Sequence, residues 1–349
     1  MLLSQESHWV IHAQSYILWQ ALINRILMPC LLISNMLSAS IMSFISRTPP
    51  ISSHYERTFF PEVLQLEFLR TLLSLLDTKM AVPTPYGPFH VFFIITSIFC
   101  GFLISRYCAN MGETYIRRFL LVEALLITVL EIYKQINFSF HVDGSQILFD
   151  YQWYAFPFQF CSTPMYIGLL AAVVKRKSLH IRLCSYLATY ALFAGICVMV
   201  YPVTVFIDTF GINIQTMVCH GSMITTGIVL LRTGYIKVSP NTIIRAFPVF
   251  LTLVFAAMIM NEAAYQTGLL EAETFNMFFI SPYCAPELPV YSQIQGIVPF
   301  PFSVLIYIAR FTAASGIIML LCKVFHIDAT SSHSPKTHSR SLHNLPATL

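Results

Sequence analysis

Charged side chains are what this sequence has least of. They make up 10% of its 349 residues, against about 25% in a soluble globular domain. A water-soluble fold needs a polar exterior to clothe its core, and a chain with 56% hydrophobic residues and a mean hydropathy of +0.68 cannot supply one. The exterior itself must be apolar. The formal net charge of +4 is too small to suggest a nucleic-acid partner, and the basic residues fall in short clusters between apolar runs, as orientation in a membrane requires. There is no CxxC pair, and the nine cysteines lack the dense spacing of a secreted disulfide scaffold. Cys100, Cys161, Cys184, Cys197 and Cys322 sit in apolar stretches, where a cysteine is by default a small buried hydrophobe. No internal repeat is visible. A metal would need three or four converging ligands, and Cys219 points about 100° away from its neighbour His220 on a helix of 3.6 residues per turn, so neither a metal nor a cofactor is expected.

What the chain does have is long apolar runs. About 20 such residues in helical form cross a bilayer, because every backbone polar group must be satisfied internally. Seven stretches qualify, at roughly residues 88–106, 117–137, 156–174, 183–206, 217–235, 243–266 and 298–323. The predicted fold is an all-α polytopic membrane bundle. The loops support it independently, since cytoplasmic loops should hold the Lys and Arg. Arg106, Arg117 and Arg118 follow the first span, Lys175, Arg176, Lys177 and Arg182 the third, Arg232, Lys237 and Arg245 the fifth, and Lys323, Lys336 and Arg340 the seventh. The alternate loops hold Asp143, Asp150, Asp208, Glu271, Glu273 and Glu287 and almost no base. The expected setting is the cell membrane, with the first span starting outside and the tail in the cytoplasm.

Residues 1–66 read as an extension ahead of a membrane domain over 67–325. The apolar run Tyr16 to Ile45 is interrupted by Asn24, Arg25 and Asn35; it fits an eighth span, an uncleaved signal-like segment, or upstream sequence absent from the mature protein. Arg47 to Ser53 reads as a linker. Pro61 to Leu76 has leucines and Phe68 at helical spacing among Glu67, Arg70 and Asp77, an amphipathic surface helix. The Ser- and His-rich stretch 326–349 reads as a disordered tail.

Ionisable groups inside membrane helices are costly and therefore candidates for function. They are Glu123 and Glu131 in the second span, His220 in the fifth, Glu262 in the sixth and Arg310 in the seventh, joined by Gln159 and Cys161 in the third and Asn261 in the sixth. Counted from the span ends, Cys161, His220, Glu262 and Glu131 share one layer in the outer half of the membrane. Each has a plainer role: Glu131 can neutralise Lys134 three residues on, Glu123 can pair with Arg310, His220 can be an interfacial histidine, and Asn261 with Glu262 can bind helices together. Pro157 and Pro164 around Cys161 predict a broken helix beside a cavity. A Cys and a His on separate elements are the minimum for an activated thiolate.

The runs FPFQFCSTPMYIGLL (Phe156 to Leu170), YPVTVFIDTFGINIQTMVCHGSMITTGIVLL (Tyr201 to Leu231) and LLDTKMAVPTPYGPFH (Leu75 to His90) resemble the YwaF-like bacterial integral membrane proteins. More remotely they are similar to animal multi-pass proteins that move or hydrolyse fatty acyl groups. The remote likeness implies Cys161 as nucleophile and His220 as base, with Thr163 a poorer match to a threonine nucleophile. Acyl transfer or hydrolysis on membrane lipids is thus one expectation, with Gln159 or Asn261 holding the oxyanion. A transporter or proton-coupled permease using Glu123, Glu131, His220, Glu262 and Arg310 is another, and a non-catalytic scaffold a third.

Overall fold

The structure, a computed structural model, describes residues 59–108, 112–144, 146–202, 205–267, 275–284, 297–325 and 327. The apolar run from Tyr16, the linker from Arg47 and the tail from Thr330 lie outside these residues. By compactness the chain divides into residues 1–68 and 69–349. The first unit contributes only the start of α1 (Phe59–Leu76) to the described residues. In the second follow α2 (Pro88–Cys108), α3 (Gly112–Asn137), a hairpin of β1 (Phe140–Asp143) and β2 (Gln146–Phe149), then α4 (Thr163–Val173), α5 (Lys177–Tyr186), α6 (Leu192–Val200), α7 (Phe210–Arg232), α8 (Pro240–Gln266) and α9 (Phe300–Val324). The expected all-α membrane bundle is what forms.

Six helical stretches among the described residues are long and apolar enough to cross a membrane. The predicted span missing from these six is the second, α3, whose 26 residues extend about 39 Å at 1.5 Å each. Glu123, Glu131 and Lys134 keep it out of that apolar class, and all three meet partners inside the protein. Lys134 and Glu131 form an ion pair at 2.8 Å, and the Thr226 hydroxyl donates to the Glu123 carboxylate.

Helix α7 is the axis of the bundle, with 83% of its apolar window buried, whereas α2 and α9 bury 22% and leave most of theirs for lipid. Its packing explains its small residues. On one side the Thr225 hydroxyl donates to the Ser97 carbonyl at 2.9 Å, and a Cβ at Gly221 would run into the Ser97 side chain. On the other, a Cβ at Gly195 would lie 2.7 Å from the His220 carbonyl oxygen. The start of α7 is tied to the α1–α2 connection: Phe210 N–H donates to Thr78 O at 2.9 Å and Met80 N–H to Asp208 O at 2.7 Å. Lys79 joins them, 3.0 Å from Asp77 and 3.4 Å from Asp208. Partial burial works against its charge, but the two carboxylates outweigh that and raise its pKa.

Three departures from the expected spans have local causes. The third span is α-helical only from Thr163; Trp153–Ala155 and Phe160–Ser162 are single 3-10 turns, because Pro157 interrupts the backbone ladder, while Pro164 sits in the first turn of α4, where proline is tolerated. The fourth begins at Lys177 and passes through a π segment, Leu187–Ala191, before α6. The fifth begins at Phe210, seven residues ahead of its apolar start, since polar Asn213 is answered locally: its amide donates to Ile207 O at 2.7 Å and accepts from Ile207 N–H at 3.0 Å.

Candidate functional site: a polar shell around Cys161 and His220

Cys161 lies in the 3-10 turn Phe160–Ser162, just ahead of α4, and that turn packs against α7, which carries His220. The turn is closed by Ser162 N–H donating to Gln159 O at 2.9 Å. Thr163, the alternative nucleophile, is committed elsewhere: its hydroxyl donates to Phe160 O at 2.8 Å and pairs with Tyr186 at 2.7 Å. His220 is 6% exposed. Its Nδ1 is 2.7 Å from the Thr216 carbonyl oxygen, which can only accept, so Nδ1 carries the proton and Nε2 keeps the lone pair. The longer α7 corrects the depth of this histidine. It stands ten residues, about 15 Å, from Phe210 rather than three from the helix end.

Around the pair is a shell that sequence spacing shows only in part. The Glu131 carboxylate meets Lys134 at 2.8 Å with side chains 6% and 11% exposed, and accepts from Gln135 at 2.8 Å. Gln135 also donates to Ala155 O at 2.8 Å and accepts from the Tyr151 hydroxyl at 2.7 Å. Lys134 acts electrostatically on Cys161, Cys219 and His220. Gln215 donates to the Cys219 thiol at 3.3 Å, so Cys219 belongs to the same shell although it leaves α7 in another direction from His220.

The other candidates are dispersed. Asn261 is spent on one residue's backbone, donating to Met277 O at 3.0 Å and accepting from Met277 N–H at 2.7 Å. Gln159 directs its Nε2 to Tyr154 O and Asn276 O, both at 3.2 Å. Glu262 lies apart, accepting from Tyr283 at 2.5 Å and Gln266 at 2.7 Å in an exposed group. Glu123 faces Thr226 on α7 and lines a cavity of about 10 Å³ with Pro164, Gly168 and Ser222, room for about one water. Among the described residues no ion pair joins it to Arg310 on α9, and none holds three His, Cys or acidic side chains in metal-binding array.

Asn276 has no periodic signal to betray it. It sits in the short turn before Met277–Phe279, beside the segment that leads to Cys161. Phe278, fully buried, stacks on Phe158 at 5.9 Å between ring centres.

A family model described as the TMEM164 family matches residues 85–320. No curated protein and no solved structure matches the chain.

Proposed function

Because the chain belongs to the TMEM164 family of multi-pass membrane proteins, a match covering more than half its length, we propose that it is a membrane enzyme that transfers or hydrolyses lipid acyl groups through Cys161 and His220. The narrower likeness to YwaF-like proteins and the remote one to membrane acyltransferases are part of this reading. The observation that carries it is the histidine tautomer: with Nδ1–H committed to Thr216 O, Nε2 is the nitrogen left to accept a proton on the helix that packs against the Cys161 turn.

In the reaction, Nε2 takes the thiol proton as the Cys161 sulfur attacks the ester carbonyl carbon. Collapse of the tetrahedral adduct breaks the C–O bond, the departing oxygen takes the proton from His220, and the acyl group remains on Cys161 as a thioester. A desolvated thiolate is expensive, and the Lys134 ammonium nearby, itself balanced by Glu131, is placed to moderate that charge. Membrane lipids are the substrate class, and the Cys161 end of the bundle faces the cell exterior in this reading.

The test is labelling in membranes by a lipid-like thiol-reactive ester. Wild type should carry the acyl adduct, Cys161→Ala should carry none, and His220→Ala should acylate about 10²- to 10⁴-fold more slowly, the usual weight of a general base. An adduct that survives in Cys161→Ala at unchanged yield would sink the proposal.

A further inference from the structure

Away from the polar shell, the end of α8 carries a carboxylate and two tyrosines joined in one unit. Glu262 and Tyr265 lie three residues apart near the end of the helix, neighbours on one face. The Tyr283 hydroxyl donates to Glu262 Oε2 at 2.5 Å, and the Tyr283 ring stacks on that of Tyr265 with centres 3.6 Å apart and planes within 1° of parallel. Gln266 Nε2 donates to the other carboxylate oxygen at 2.7 Å. These bonds hold the carboxylate against the edge of the stacked pair, so rings and charge face a common space. No base balances that charge: among the described residues Glu262 makes no ion pair, and the sequence from Ala246 to Ala309 holds no Lys, Arg or His.

Two properties of the unit call for a cation. Tyrosine at a membrane interface usually turns its hydroxyl to water and its ring to lipid; Tyr283 spends its hydroxyl on Glu262, while it and Tyr265 remain 43% and 54% exposed. Parallel stacking face to face is also the arrangement that aromatic quadrupoles disfavour, because the negative ring faces meet. A positive charge over an outward face offsets that repulsion and stands in the field of the carboxylate bonded to the same ring. A metal ion or a primary ammonium would give up water that a ring face cannot replace, whereas a quaternary ammonium has no N–H left to satisfy. We propose that Tyr265, Tyr283 and Glu262 form a binding site for a quaternary ammonium group, carried by a lipid head group or by a soluble ion. The site is built from residues other than Cys161 and His220 and needs nothing of the acyl reading.

The experiment uses the full chain in dodecyl maltoside micelles, which carry no charge, and reads saturation transfer to the methyl protons of tetramethylammonium chloride. Wild type should give a saturable signal. Tyr265→Leu removes a ring, and Glu262→Gln removes the charge while keeping an acceptor for Tyr283; each should weaken binding at least about fivefold. Tyr265→Phe keeps the ring face and should bind within about twofold of wild type. Dihexanoylphosphatidylcholine displacing the probe at lower concentration than free choline identifies a lipid head group as the occupant; equal displacement identifies a soluble ion. The absence of a saturable signal in wild type overturns the site, as does wild-type affinity in either Tyr265→Leu or Glu262→Gln. A Tyr265→Phe variant as weak as Tyr265→Leu also overturns it, since the ring face would then not be what binds.

Discussion

At the scale of the residue, the Glu131–Lys134 pair shows how a local, bland pattern acquires a role from its surroundings. Three residues apart on α3, the two were bound to meet, and they do at 2.8 Å. What spacing does not show is that the pair is almost wholly out of solvent. An interior pair stripped of one partner leaves an uncompensated charge, whereas loss of both is far milder. Lys134→Met should therefore destabilise the fold by about 3–5 kcal/mol, and Glu131→Met with Lys134→Met by much less. Unfolding in mixed detergent micelles measures both, and single-variant losses that simply add would sink the argument. Cys161, His220, Gln159 and Glu131 stand out as candidates because polar groups are conspicuous in apolar runs. Asn276 does not, since it follows the sixth span in an irregular stretch where one amide looks like any other; only its hydrogen-bond partners distinguish it.

At the scale of the element, apolar length located the crossing helices well and their ends poorly. Helix α7 starts at Phe210 because Asn213 caps its own neighbourhood through Ile207, a tertiary answer to a polarity that the hydropathy of the run counts against a span. The π segment in Leu187–Ala191 leaves no pattern of its own. Beyond it, α6 packs on α7 through Gly195. A methyl there would come 2.7 Å from His220 O and 2.8 Å from Met223 Cβ, so α6 must retreat from α7 at the histidine. Overpacking of this kind costs about 1–3 kcal/mol. Gly195→Ala should lower thermal stability accordingly and slow acylation more than it lowers folded yield; a variant with lowered stability and wild-type acylation would show that His220 does not depend on this contact.

At the scale of the whole molecule, the alternation of basic and acidic loops across seven helices was readable before any coordinate, because it depends on charge count and not on packing. Its orientation gives a direct expectation in cells. A cysteine introduced in the basic loop at Lys175 should be shielded from a membrane-impermeant thiol reagent, and one at Gln146 in the hairpin should label above the wild-type background. The reverse pattern would invert the bundle. One feature of the third span bears on the surrounding bilayer. Helix α4 has 11 residues, about 16 Å of rise, close to half of a hydrocarbon core of about 30 Å. The remainder of that crossing is made by turns and extended chain whose backbone tolerates no contact with lipid tails. A bilayer answers a hydrophobic belt shorter than itself by thinning. In the proposed acyl reaction, such thinning would bring the ester carbonyls of neighbouring lipids toward the level of Cys161.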